Sequence, residues 1–159
     1  MILKKIKQFL IFTLLIFFFS SCGYKVINKS NGNYYILEIT DTGEDRLNYK
    51  IKNQVLFQSS KQSKNILKLK IKTKKQKQVR DRNIKNEITS YILTITTEVM
   101  YSKINSKNEG IFTITESGDY KVSNQRLNTL NNEKSLTETL TNKIISKIIF
   151  ELNKISNDN

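Results

Sequence analysis

The sequence predicts an α+β domain in which two helices pack on one face of a roughly four-stranded mixed or antiparallel sheet. Three observations predict it. In residues 66–79, Leu67, Leu69 and Ile71 alternate with Lys68, Lys70, Lys72 and Lys74, the period of two expected of a strand with one apolar and one basic face. In residues 87–101 a second alternation sets Tyr91, Leu93, Ile95, Val99 and Tyr101 against Thr94, Thr96 and Glu98. Near the C-terminus, Leu136, Leu140, Ile144, Ile148 and Leu152 recur at every fourth position, widened by Ile145, Ile149 and Ile155, which is the stripe of an amphipathic helix.

The remaining elements follow in chain order. Residues 34–40 are rich in aromatic and β-branched side chains and read as a strand, closed by a turn at Asp41-Thr42-Gly43. Leu47, Ile51 and Val55 then repeat every four residues, so residues 44–58 are expected to be helical, with Asp41, Glu44 and Asp45 near the start, where negative charge suits the helix dipole. After the two long strands, residues 105–110 make a hairpin turn into a strand at 111–115. Ser117-Gly118-Asp119 predicts another turn before a short strand at 120–122. Ser135 and Glu138 have capping-box spacing, which places the start of the last helix at Ser135. The expected organisation is a signal peptide at 1–21, a tether at 22–33, one α+β domain at 34–155 and a disordered tail at 156–159.

Composition narrows the function. The 159 residues hold 27 Lys+Arg against 14 Asp+Glu, a formal net charge of +13, with one Cys and no His, Pro, Trp or Ala. Without imidazole there is no His-based triad and no Cys-His dyad, and the transition-metal motifs built on His and Cys fall away too. A single Cys forms no disulfide framework. Gly-rich phosphate loops and Gly-x-Ser-x-Gly or Ser-x-x-Lys nucleophile motifs are also missing. An enzyme is not expected, and no catalytic residue, metal site or dissociable cofactor is assigned.

The N-terminus carries an address. Lys4, Lys5 and Lys7 precede residues 9–19, apolar except for Thr13, and then Ser20-Ser21-Cys22. This is the layout of a secretory signal peptide, and the apolar run is about half the ~20 residues that span a bilayer. Phe19-Ser20-Ser21-Cys22 is similar to the bacterial lipobox, with Phe19 where Leu is usual. Cys22 is accordingly expected to carry a diacylglycerol and an N-acyl chain as the first residue of the mature protein, enough acyl chains for stable anchoring. Gly23 follows it where an Asp would favour the inner membrane, so the anchor is expected in the inner leaflet of the outer membrane, facing the periplasm.

The basic charge is uneven. Residues 61–85 contain 11 Lys+Arg and one acid, Asp81, while the rest of the chain beyond Cys22 is balanced. Such a stretch suits an anion-rich partner, and Lys68, Lys70, Lys72 and Lys74 are the candidate row. The competing reading is a lysine-guarded sheet edge. Nucleic acid is not expected as the partner, because residues 61–85 hold no aromatic stacking platform and no nucleic-acid-binding motif is visible.

Taken together, Cys22-Gly23-Tyr24, the strand and helix over 34–58, the long strand and hairpin of 88–101 and the terminal helix of 135–155 resemble the lipopolysaccharide-assembly lipoprotein family LptE, also called RlpB. The resemblance covers nearly the whole chain after Cys22. It implies an outer-membrane lipoprotein that plugs and helps assemble the LptD β-barrel and assists lipopolysaccharide transport, with LptD and lipopolysaccharide as partners. Under it, lipopolysaccharide is the anion that Lys68, Lys70, Lys72 and Lys74 would meet. The alternatives are another small accessory lipoprotein, such as a pilotin or a barrel-assembly subunit, and a periplasmic lipoprotein binding free lipid or glycan.

Overall fold

A computed structural model of the protein describes residues 32–104, 106 and 108–157. The signal peptide, Cys22, most of the tether and the last two residues lie outside the described residues. The elements run β1 (Tyr35–Gly43), α1 (Asp45–Gln58), β2 (Ile66–Arg82), β3 (Ile88–Lys103), β4 (Glu109–Lys121) and α2 (Arg126–Asn157). They form the α+β fold expected of the sequence. The four strands lie in chain order in one mixed sheet, β1 parallel to β2 and the rest antiparallel. The parallel pair exists because α1 carries the chain back across the sheet between β1 and β2.

Alternation decides which side is covered. Leu67, Leu69 and Ile71 of β2 and Leu93, Ile95 and Val99 of β3 are buried on one face. They meet Leu47, Ile51 and Val55 from α1 and Leu140, Ile144, Ile148 and Leu152 from α2 in a single core. Each fully buried aliphatic side chain of this kind contributes roughly 1.5–3 kcal/mol. Thr73 and Thr97 also fall on this face, and their hydroxyls satisfy each other at 3.1 Å. α1 lies over β1 and β2, α2 over β4 and β3.

Several boundaries differ from those read in the sequence. β4 runs unbroken from Glu109 to Lys121, with no turn at Ser117-Gly118-Asp119. Gly118 instead faces α2, where a Cβ would stand 2.9 Å from Leu136 Cδ1, so its missing side chain makes room for the helix. Ser117 and Asp119 point the other way, Ser117 reaching Thr94 at 3.1 Å and Asp119 reaching Arg80 at 2.6 Å. α2 starts at Arg126, nine residues before Ser135, and its first turn is fixed by the Gln125 carbonyl, which accepts from the Asn128 and Thr129 amides. Ser135 and Glu138 are therefore mid-helix residues, and the Ser135 carbonyl accepts from Thr139 Oγ1. At its other end α2 takes in Ser156, which is buried, and Asn157. β1 continues through Asp41 and Thr42, and only Gly43 turns the chain.

Gly43 has φ +100°, and a Cβ there would strike the Thr73 carbonyl and main chain. The same carbonyl accepts the Glu44 amide at 3.1 Å, so strand end and helix start are fixed together. Upstream of β1, Gly32 and Asn33 are already bonded to the domain: the Gly32 amide donates to the Gln58 carbonyl, and Asn33 bonds Asn153 and Asn157 of α2. Gly43→Ala is expected to lower stability by about 2 kcal/mol or more, because a β-carbon is added both at positive φ and against backbone. Urea unfolding followed by circular dichroism checks this, with an unchanged midpoint as the contrary result.

Candidate polyanion-binding face

The face of the sheet away from the helices is polar, and β2 supplies its basic column. Lys68, Lys70, Lys72 and Lys74 are all exposed there, spaced by the ~6.6–6.8 Å between every second residue of a strand. The register sets them beside Ser102, Met100, Glu98 and Thr96 of β3 on one side, and the first three beside Glu38, Thr40 and Thr42 of β1 on the other. The column is thus flanked largely by short hydroxyl side chains that leave the ammonium groups accessible. Cross-strand hydroxyl pairs, Thr94 with Ser117 and Thr96 with Thr115, each at 3.1 Å, join β3 to β4 on the same face. Where β1, β2 and β3 meet, Glu38, Thr40, Lys68, Lys70, Met100 and Glu109 line a shallow depression of about 340 Å³.

The acids on this face come from other strands, so no local pattern around the lysines announces them. Glu38 holds Lys68 at 3.1 Å, and Glu98 stands directly across from Lys72. Lys70, Lys72 and Lys74 have no ion-pair partner among the described residues, so they are the cations free to meet an anion. The exposed Lys68–Glu38 pair is worth roughly 0.2–1 kcal/mol and breaks readily for a stronger anion.

Four further cations of the basic run are directed elsewhere. Arg80 pairs with Asp119 and Asp81, and Arg82 donates to the Asn86 carbonyl in the β2–β3 turn. Lys75 and Lys77 fall on the helix side, where both bond Glu133 of α2, at 3.2 and 2.7 Å. The Tyr120 hydroxyl donates to the same carboxylate at 2.7 Å. Lys77 Nζ also lies 4.2 Å from the centroid of the Tyr91 ring, which stacks on Tyr120 at 5.7 Å. Glu133 therefore gathers two lysines and a tyrosine from β2 and β4 under the N-terminal half of α2.

These contacts shift the groups involved. The hydrogen bond from Lys77, against the opposing effect of burial, and then those from Tyr120 and Lys75 pull the Glu133 carboxyl from 4.5 down to about 2. Burial works against the charged form of Lys77, but the hydrogen bonds and charge attraction from Glu133 and Tyr120 together outweigh it, and the ammonium is held above its usual value. Tyr120 is raised, first by burial. Among the described residues no group of three His, Cys, Asp or Glu side chains is placed to hold a metal ion, and no helix is long and apolar enough to cross a membrane.

A one-sided sheet under a short and a long helix, joined as β-α-β-β-β-α, is the class of fold seen in small bacterial lipoproteins. Rare lipoprotein B of Shewanella oneidensis is similar over 74% of this chain and 95% of its own, with a TM-score of 0.58 and 11% identity. Lipoprotein B of Nitrosomonas europaea is similar over 86% and 94%, at 0.58 and 10%. A minor lipoprotein of Acinetobacter baumannii is similar over 76% and 94%, at 0.51 and 18%. No family model and no curated protein matches the sequence. At these identities the likeness is one of fold, and it is the fold that the sequence resemblance implied.

Glu133→Gln is expected to cost roughly 1–3 kcal/mol at pH 7, since two ammonium groups lose their shared carboxylate. The carboxyl titrates lower in the folded chain than unfolded, so its contribution is complete above about pH 4.5 and is lost as pH falls toward about 2. Melting curves of both proteins should converge over that interval. A gap that stays constant from pH 7 to pH 2 would contradict the assignment.

Proposed function

We propose that the protein is an outer-membrane lipoprotein of the LptE (RlpB) type, anchored at the periplasmic face through acyl chains on Cys22. In this reading it partners an LptD-type β-barrel, supports that barrel's assembly and helps receive lipopolysaccharide. It does so without catalysis. The observation that carries the reading is the fold likeness over nearly the whole of rare lipoprotein B, joined to a signal sequence that ends at the sole cysteine.

The basic column gives the reading a mechanism. Lipopolysaccharide presents phosphates and carboxylates on a rigid glycolipid, and a row of ammonium groups at strand spacing meets several of them at once. Lys70, Lys72 and Lys74 would contact the anions directly, with Lys68 released from Glu38 as the fourth. Each exposed contact is weak, so affinity comes from their number, falls with salt and suits a component that must hand its cargo on.

The direct test is to purify the tagged protein from its own outer membrane in mild detergent and identify what accompanies it. The expected result is one large β-barrel of the LptD type in near-equal amount, with acylated Cys22 in the peptide map. Recovery of acylated protein with no barrel would overturn the partnership.

A further inference from the structure

β2 is 17 residues long, but β1 pairs with only its first half, the last rung being Gly43 opposite Thr73. From Lys74 to Arg82 one side of β2 is taken by β3, and the other carries no strand among the described residues. The main chain shows which groups face that open side. The Ile66 carbonyl accepts from Ile104 on the β3 side, whereas the Thr73 carbonyl accepts from Glu44 on the β1 side. With the two-residue repeat of a strand, the N–H and C=O of Lys75, Lys77 and Val79 point away from β3, into the open side. Three consecutive donor–acceptor pairs form the template that an added strand needs.

We propose that this half-edge of β2 takes up an extended acidic segment of a partner protein by strand addition. The surroundings select its chemistry. Lys74 flanks the edge on the open face with no ion-pair partner among the described residues, beside Gln76 and Gln78. On the helix side the edge borders a cleft of about 540 Å³ between α1 and α2, lined by Tyr49, Lys50, Lys75, Leu130 and Lys134 among others. Tyr49 and Leu130 are 70% and 52% exposed there, large apolar groups without cover. A strand laid along β2 sends alternate side chains to the two sides. Apolar residues would then enter the cleft while Asp or Glu meet Lys74 and the neighbouring column. Lys75 and Lys77 do not obstruct it, because Glu133 draws their side chains to the helix face.

A second copy of this chain is a poor occupant. Antiparallel self-pairing centred on Lys77 would set Lys77 against Lys77 and Lys74 against Arg80, and like charges directly opposed destabilise a strand pair. The same lysines that discourage self-association attract an acidic strand. The inference names no particular partner and stands whether or not an LptD-type barrel is recovered.

The test uses the full acylated protein in mild detergent and a fluorescent nine-residue peptide alternating Val and Glu. Saturable binding is expected at low ionic strength. It should slow amide exchange at Lys75, Lys77 and Val79 and leave the outer edge of β4 unchanged. Val79→Pro deletes an N–H that faces the open side, a position where proline is tolerated in a strand, and should weaken binding at least tenfold. The same peptide N-methylated at alternate residues should bind at least tenfold more weakly to the unaltered protein, a result independent of how well the proline variant folds. Equal binding of the N-methylated peptide, unchanged exchange at the three amides, or no binding at low salt would overturn the proposal.

Discussion

Side-chain alternation in β2 and β3 is the constraint on which the rest of the structure depends. Because successive residues of a strand face opposite ways, Leu67, Leu69 and Ile71 cannot be buried without sending Lys68, Lys70 and Lys72 to the other side. A slip of one residue would bury ammonium groups against Ile51 and Ile148. The register is fixed by that penalty, and the helices are drawn to the only face that is apolar. The lysine column on the uncovered face is thus the unavoidable complement of the core.

Much of this was legible in the sequence, and the gaps have physical causes. The β2 and β3 alternations and the stripe from Leu140 to Leu152 are periodic because one side is buried, so they could be read directly. The first turns of α2 could not, since Leu127 and Leu130 are exposed there and the segment is held by Glu133 binding lysines over fifty residues away. Gly118 resembled a turn because local sequence cannot show that a helix will press on it. In the candidate site, the four lysines were visible as a column. Glu38 and Glu98 were not, because they are set by pairing register between strands, nor was the Lys75–Lys77–Glu133 cluster, which depends on how α2 seats on the sheet.

The structure also divides a basic stretch that composition treats as one block. Lys75 and Lys77 on the helix side are tied down by Glu133, Arg80 and Arg82 near the hairpin by Asp81, Asp119 and main-chain oxygen, while Lys70, Lys72 and Lys74 have no ion-pair partner among the described residues. This division leaves Lys70, Lys72 and Lys74 as the candidates for the proposed anion contact, with Lys68 in reserve. It also keeps α2 seated on β4 and leaves the far half of β2 free along its edge. One strand thereby presents charge on its face and hydrogen-bonding groups on its side.

The most direct measurement is the affinity of the acylated protein for lipopolysaccharide, as a function of salt, before and after Lys68, Lys70, Lys72 and Lys74 are all replaced by Gln. At roughly 0.5 kcal/mol for each exposed contact, the account predicts about thirtyfold weaker binding at low ionic strength, a difference that shrinks as salt is raised, with the fold unchanged. An unaltered dissociation constant at low salt would contradict it.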